Sequence, residues 1–332
     1  MKKLLALCLV CVLLLSGCSG RNAPTEQTVP ETYIIDTPPA EHENGEENPF
    51  GLSYLSAYGL NPYTCTATAN RALFSLLYES LFVVSGQYRA EPVLCDSFKV
   101  SEDGRTYTFT LADGIRFTDG TPLTAADVEA SIQAAKSSAL YRGRLSHISY
   151  YVADGTDTLI VQLDTPYENF ALMLDVPILK ADTLESTTPI GTGPYVLKGS
   201  TLERNSYWWQ SELPSIDAQS ILLLACANQD ELRDSFEFGQ TDLVYADPNS
   251  AAASGYRCDY EVWEAPTTIL HYLGFNLYSG YFANDTLRQA VTYIIDREDI
   301  SNRIYGGFAV ASELPCAPTS DLFDGQLAEN YD

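Results

Sequence analysis

The stretch Asp103–Ile132, DGRTYTFTLADGIRFTDGTPLTAADVEASI, decides how this chain is read. It opens with strict alternation. Tyr107, Phe109 and Leu111 point one way, and Thr106, Thr108 and Thr110 the other, which is the pattern of a strand with one buried face. Asp113-Gly114 is a hairpin-turn signal. Asp119-Gly120 is a second tight turn, because glycine accepts positive φ without a steric penalty. Pro122 stiffens the next step, and Thr124 stands three residues before Asp127, the spacing of a capping box with Asp in place of Glu or Gln. Val128, Ile132 and Ala135 then line one helical face. The acid-rich loop could in principle hold a cation or a phosphate. An EF-hand needs oxygen ligands at alternate positions and a Glu at the twelfth, and this spacing fails. There is no GxxxxGK[ST] and no lysine near the turn. The loop therefore reads as a corner and a cap, with strand before it and helix after it.

Outward from this corner the same mixture continues. NRALFSLLYESLF (70–82) places Leu73, Leu76, Leu77 and Leu81 on one helical face, with Asn70 as the expected cap. SYYVADGTDTLIVQL (149–163) reads as a second hairpin around Asp154-Gly155. NQDELRDSFEFGQTDLVYA (228–246) reads as a helix capped by Asn228 and stopped by Gly239, then a strand at Leu243–Tyr245. Near the far end, a helix is expected over Asp285–Ile295, capped by Asn284, and another over Arg297–Tyr305. No internal repeat appears. The class is α/β.

The chain has 332 residues, with 44 acidic against 19 basic and a net charge of −25. Such a length supports two lobes with real cores. The charge excludes nucleic acid as a partner, since that needs a basic footprint. The first residues, MKKLLALCLVCVLLLSGCSG, read as a leader: two lysines, then an apolar run from Leu4 to Leu15 that is too short to span a bilayer. It ends in Leu15-Ser16-Gly17-Cys18, which looks like a bacterial lipobox. Residues 1–17 are then a signal peptide, and Cys18 is the lipidated residue that anchors the chain to the outer face of the cytoplasmic membrane. The Pro-, Glu- and Thr-rich residues 18–49 read as a tether whose composition cannot order itself. Cys65, Cys95, Cys226, Cys258 and Cys316 remain after the leader and Cys18. They show no CxxC spacing, so neither a disulfide framework nor a zinc site is indicated, although the compartment permits disulfides.

The Asp103–Ile132 stretch resembles the signature of extracellular solute-binding protein family 5, the oligopeptide-, dipeptide- and nickel-binding components of ABC importers. YESLFVVSGQYRAEPVLCDSF (78–98) resembles a further family segment, with Cys95 where alanine is usual. So do IGTGPYVLKGSTLERNSYWW (190–209), FEFGQTDLV (236–244) and LGFNLYSGYFANDTLRQAVTYIIDREDI (273–300). The order of these motifs, over most of residues 60–310, makes the resemblance specific.

It implies a two-lobed periplasmic-binding-protein-like fold of type II with an inserted subdomain. Residues 50–272 would form the first lobe, with the insertion at about 82–181. Residues 273–332 would begin a second lobe that is incomplete, since family members run well past this length. The expected function is capture of a small solute, short peptides above all, and delivery to an ABC permease. The alternative is a lipoprotein that senses a solute or docks a partner without transport.

Site residues follow from the same placement. Tyr63, Thr64 and Thr66 lie in YGLNPYTCTATAN (58–70), the loop that faces ligand in the family. They offer an aromatic wall and uncharged hydroxyls. Of Trp208 and Trp209 one is expected in the core, and Trp209 is carried as the candidate to line the cleft. Asn276 would place an amide at the hinge crossing, Leu273–Asn276, or tie the crossing strands together. No enzyme is expected: GxSxG, GxGxxG and HExxH are absent. His42, His147 and His271 form no ligand pair, so no metal and no cofactor is expected. Gly191-Thr192-Gly193-Pro194-Tyr195 reads as a turn leading into a strand rather than an anion nest.

Overall fold

The computed structural model describes residues 49–210, 218–246, 255–264, 269–278, 280–312, 314–316, 323–324 and 326. The leader, Cys18 and the tether lie outside the described residues, apart from residue 49.

The described chain begins with strand β1 (Gly51–Leu55) and two short helices, α1 (Thr68–Arg71) and α2 (Phe74–Leu77). The single helix expected over 70–82 is therefore two separate turns. Asn70 caps neither of them. Its carboxamide is buried and turned back on the strand, accepting from Leu55 N at 2.7 Å and donating to Leu55 O at 2.9 Å and Gly59 O at 2.8 Å. A buried amide with such partners serves the loop rather than a helix end.

Strands β2 (Phe82–Val84) and β3 (Ala90–Pro92) pair antiparallel. Strands β4 (Cys95–Val100) and β5 (Thr106–Leu111) open a second sheet, followed by helix α3 (Ala125–Ser137) and strands β6 (Ile148–Asp154) and β7 (Thr158–Leu163). This sheet is fully antiparallel with order β4-β5-β7-β6. The alternation in β5 is realised: Tyr107, Phe109 and Leu111 are buried. Phe109 meets Phe82 at 5.9 Å, and Tyr107 meets Phe170 at 5.3 Å, so the strand's inner face is an aromatic stack. Val128, Ile132 and Ala135 of α3 are buried in the same core. The β6–β7 hairpin turns at Gly155, whose φ is +76°.

The corner before α3 also forms. Asp127 accepts from Thr124 N at 3.1 Å and from the Thr124 hydroxyl at 2.7 Å, fixing the first turn. Asp113-Gly114 differs from the expectation. It joins β5 to the corner without pairing two strands. The small hairpin forms instead around Asp119-Gly120, where Phe117 N donates to Thr121 O at 2.9 Å.

Strands β8 (Tyr195–Lys198), β9 (Thr201–Arg204) and β10 (Ser220–Cys226) return to β1. The resulting sheet has order β1-β10-β9-β8, with β1 and β10 parallel and the other pairs antiparallel. Leu52, Ile221 and Leu223 from this sheet share one hydrophobic core with Tyr107, Phe109 and Leu159 from the other.

Helix α4 (Gln229–Glu237) follows β10, with Asn228 accepting from Glu231 N at 2.9 Å as a cap. Beyond Gly239 the expected strand reduces to a single bridge between Leu243 and Leu52. Helices α5 (Asp285–Ile294) and α6 (Arg297–Arg303) close the described chain. Asn284 caps α5, accepting from Thr286 N at 2.8 Å. Helix α5 buries none of its residues, and Tyr293 and Ile294 are exposed.

Candidate functional site

Two parallel strands, β1 and β10, end side by side at Leu55 and Cys226. In open α/β sheets ligands bind outside the carboxyl ends of such strands, where the connections diverge. The loop leaving β1, Ser56–Ala67, is held there by hydrogen bonds that reach distant parts of the chain. Ser56 Oγ donates to Cys226 O at 3.1 Å. Asn61 Nδ2 donates to Leu184 O at 2.7 Å and Ser186 O at 2.8 Å, while its Oδ1 accepts from Tyr63 N at 3.0 Å. Leu60 is bonded at both backbone atoms, its N–H to Thr187 O at 2.8 Å and its carbonyl to the Tyr78 hydroxyl at 2.8 Å. Gly59 takes φ +61°, and a Cβ there would sit 3.0 Å from Thr187 O. Loops on protein surfaces usually lack this many buried anchors, so the loop is preorganised.

The sequence-derived residues fall in different places around it. Thr64 and Thr66 are exposed on the loop's outer side. Tyr63 is not part of an exposed wall. It is only 6% exposed, its hydroxyl donates to Pro177 O at 2.5 Å, and its ring meets Tyr141 edge-on at 5.8 Å. Burial pushes its phenol well above the ordinary tyrosine range. The reason is the apolar pocket formed by the following segments, which a five-residue window around Tyr63 does not reveal.

Trp209 is half-buried and packs on the core, and Trp208 is half-buried too. Their indoles share one carboxylate: Trp208 Nε1 donates to Glu79 Oε1 at 3.0 Å and Trp209 Nε1 to Glu79 Oε2 at 3.1 Å. Burial raises the Glu79 carboxyl above the ordinary glutamate range, against the pull of Trp208, Thr192 and Trp209. The sequence reading missed Glu79. Asn276 is exposed and bonds locally, accepting from Tyr278 N at 3.0 Å.

Gly191 and Gly193 owe their identity to close backbone approach rather than to an anion. A Cβ on Gly191 would lie 2.3 Å from Leu77 O, and one on Gly193 would lie 2.4 Å from Leu77 C. His147 faces Asp164 at 3.1 Å, and His271 faces the Tyr305 hydroxyl at 2.9 Å. Among the described residues, no group of three His, Cys, Asp or Glu side chains could hold a metal ion. No described helix is long and apolar enough to cross a membrane.

Two further residues border the loop. Arg71, at the end of α1, is exposed and makes no side-chain hydrogen bond or ion pair among the described residues. Tyr141 lies under Tyr63, with the Arg144 guanidinium 5.8 Å over its ring. Neither stood out in the sequence, because an arginine in a short helix and a tyrosine after α3 carry no local signal.

Comparison with known proteins adds the following. The profile of the bacterial extracellular solute-binding proteins, family 5 Middle, matches residues 89–332. The glutathione-binding protein GsiB of Escherichia coli O1:K1 is 28% identical over 269 residues, covering 75% of this chain and 52% of that protein. The chain thus spans about half the length of the curated relatives it matches. A nickel ABC transporter protein from Bacillus halodurans superposes with a TM-score of 0.61 at 25% identity, covering 82% of this chain and 59% of that one. The periplasmic murein tripeptide-binding protein MppA, in its unliganded open form, gives a TM-score of 0.62 at 21% identity, over 84% of this chain and 61% of that one. The fold is the α/β fold of periplasmic binding proteins.

Proposed function

The chain belongs to family 5 of the bacterial extracellular solute-binding proteins, and from that premise we propose that it is the substrate-binding lipoprotein of an ABC importer for short peptides. Binding of this kind needs no covalent chemistry. It needs a preformed surface, enclosure of the ligand and release to a permease. The observation that carries the reading is the clamped loop Ser56–Ala67 at the carboxyl ends of β1 and β10, which presents the Thr64 and Thr66 hydroxyls on a backbone fixed by Asn61 and Asn70. Such hydroxyls suit the amide groups of a peptide, as donors and as acceptors. Tyr63 supports the loop from beneath, while Trp209, to line the cleft, and Asn276, at the hinge crossing, are further candidates.

Peptides are favoured over other solutes by the relative from Escherichia coli, whose ligand by name is glutathione, itself a tripeptide. The lipid on Cys18 would hold the protein at the outer face of the cytoplasmic membrane, where solute and permease meet.

Calorimetry of the full chain against a mixed tripeptide library tests the reading, with nickel as a second arm. Saturable binding of tripeptides supports it, and saturable binding of nickel alone overturns the peptide assignment. Membrane retention that survives Cys18→Ala overturns the anchor. Uptake that needs no permease genes beside this one favours sensing or docking over transport.

A further inference from the structure

Just past α3, the stretch Tyr141–His147, YRGRLSH, gathers Arg142, Arg144 and His147 in a chain of net charge −25. Two contacts tie this basic turn to the clamped loop. Ser138 Oγ donates to Tyr63 O at 2.5 Å, and the Tyr141 ring meets the Tyr63 ring edge-on at 5.8 Å. Tyr141 is only 7% exposed, and the Tyr63 hydroxyl is pinned to Pro177 O at 2.5 Å, so the two rings form a fixed platform.

Arg144 lies on that platform in one orientation. Its guanidinium stands 5.8 Å over the Tyr141 ring, and its Nη1 donates to Asp175 O at 2.6 Å. Asp175 Oδ2 is 3.6 Å from the same Nη1, beyond hydrogen-bond length, so this carboxylate balances charge without taking up a donor. Nε and Nη2 bond to no described residue, and the side chain is 39% exposed. Nε and Nη2 make up the side-on edge of the guanidinium fork. That edge is open, while the opposite end of the group is held. A surface arginine ordinarily loses rotamer freedom when it binds, and here much of that ordering is already in place.

We infer that Arg144 is the receptor for a carboxylate of the captured solute, at the Tyr141 side of the clamped loop. A guanidinium has donors only and a carboxylate acceptors only, so both carboxylate oxygens can accept from the Nε–Nη2 edge. The inference rests on the peptide-binding reading above and adds the chemical group that is held. For a peptide without acidic side chains, that group is the terminal carboxylate. The spacing suits a short peptide. Two contacts of 5.8 Å in series, guanidinium to Tyr141 and Tyr141 to Tyr63, separate Arg144 from the residue before Thr64. An extended tripeptide spans about 10 Å, enough to reach from the one to the other.

The test uses the full chain and two mixed tripeptide libraries built from Ala, Gly, Leu and Phe, one with free terminal carboxylates and one amidated. Calorimetry is expected to show the free-acid library binding about 10- to 100-fold more tightly, the range for a lost hydrogen-bonded charge. Arg144→Met should bring the free-acid library down to the amidated level and leave the amidated library unchanged. Arg144→Lys keeps the charge but not the fork, and should cost about 3- to 10-fold on the free-acid library alone. Arg142 is exposed and makes no side-chain hydrogen bond or ion pair among the described residues, so Arg142→Met removes the same charge and should change neither library. Equal binding of both libraries by the unaltered protein overturns the inference and leaves the peptide reading standing. Equal loss from Arg142→Met and Arg144→Met overturns it, since net charge rather than the fork would then hold the carboxylate. Weakening of both libraries by Arg144→Met overturns it as well, since Arg144 would then be acting on the loop through Tyr141. Should Arg144→Met fail to fold, an undiminished free-acid preference in Arg144→Lys overturns it. Binding of neither library overturns the peptide reading and the inference together.

Discussion

Lys180 Nζ lies 2.6 Å from Asp119 Oδ2, so one ion pair ties the glycine corner before α3 to the segment that follows Leu179. Asp127 strengthens the same junction by accepting from Ala181 N at 3.1 Å. Partial burial would raise the Asp119 carboxyl, but Lys180 and the Thr121 hydroxyl and N–H outweigh it and hold the group down to about 2.

A pH dependence follows from the sign of that shift. The folded state binds the Asp119 proton less readily than the unfolded chain does. Its contribution to stability is therefore full above the unfolded value, about 3.9, and is lost as pH falls toward 2. Lys180→Met should lower the urea midpoint at pH 6 and shrink the fall between pH 4 and pH 2. Parallel midpoint curves for the two proteins across that window would show that the pair does not act this way.

Glu79 accepts one indole N–H on each carboxylate oxygen. Glu79→Gln keeps the shape but offers one acceptor, so one indole loses its partner. The expected loss is about 1–3 kcal/mol, reduced by whatever the buried charge costs. Denaturation followed by tryptophan emission measures it, and unchanged stability with an unchanged native spectrum would contradict it.

Gly193→Ala would place a methyl 2.4 Å from Leu77 C, against backbone that cannot swing aside. A cost of about 1–3 kcal/mol or more is expected. Gly155→Ala meets nothing within 4 Å but must hold φ at +76°, so about 1–2 kcal/mol is expected from strain alone. Gly86→Ala, with open space and no positive φ, should leave the melting temperature unchanged. The three measured together separate crowding from strain.

Asn70→Ala removes three hydrogen bonds that fix the end of β1 and Gly59. With one N–H and two carbonyls left short of a partner, the loss should reach about 3 kcal/mol. Hydrogen exchange should rise at Leu55 and along Ser56–Ala67 before it rises in β5. Uniform exchange across the two regions would argue that the loop is held by other contacts.

The local elements were legible in the sequence. The alternation of β5, the Thr124–Asp127 cap, the turn at Gly155 and the Asn228 and Asn284 caps all rest on interactions within a few residues, and periodicity and capping rules read those directly. The order of motifs also pointed to the family. What the tertiary structure decided lies across long stretches of chain. Asn70, a helix cap by local rules, is drawn into a clamp on Leu55 because a buried strand end needs partners. Tyr63, an exposed wall by its neighbours, is swallowed by a pocket that closes at Pro177, 114 residues away. Glu79 meets Trp208 across 129 residues, and Asn61 meets Leu184 across 123. Contacts of that reach depend on how the sheets share one core. No window of sequence contains that packing, so the strands could be read in advance, but the surroundings of Tyr63, Glu79 and Arg71 could not.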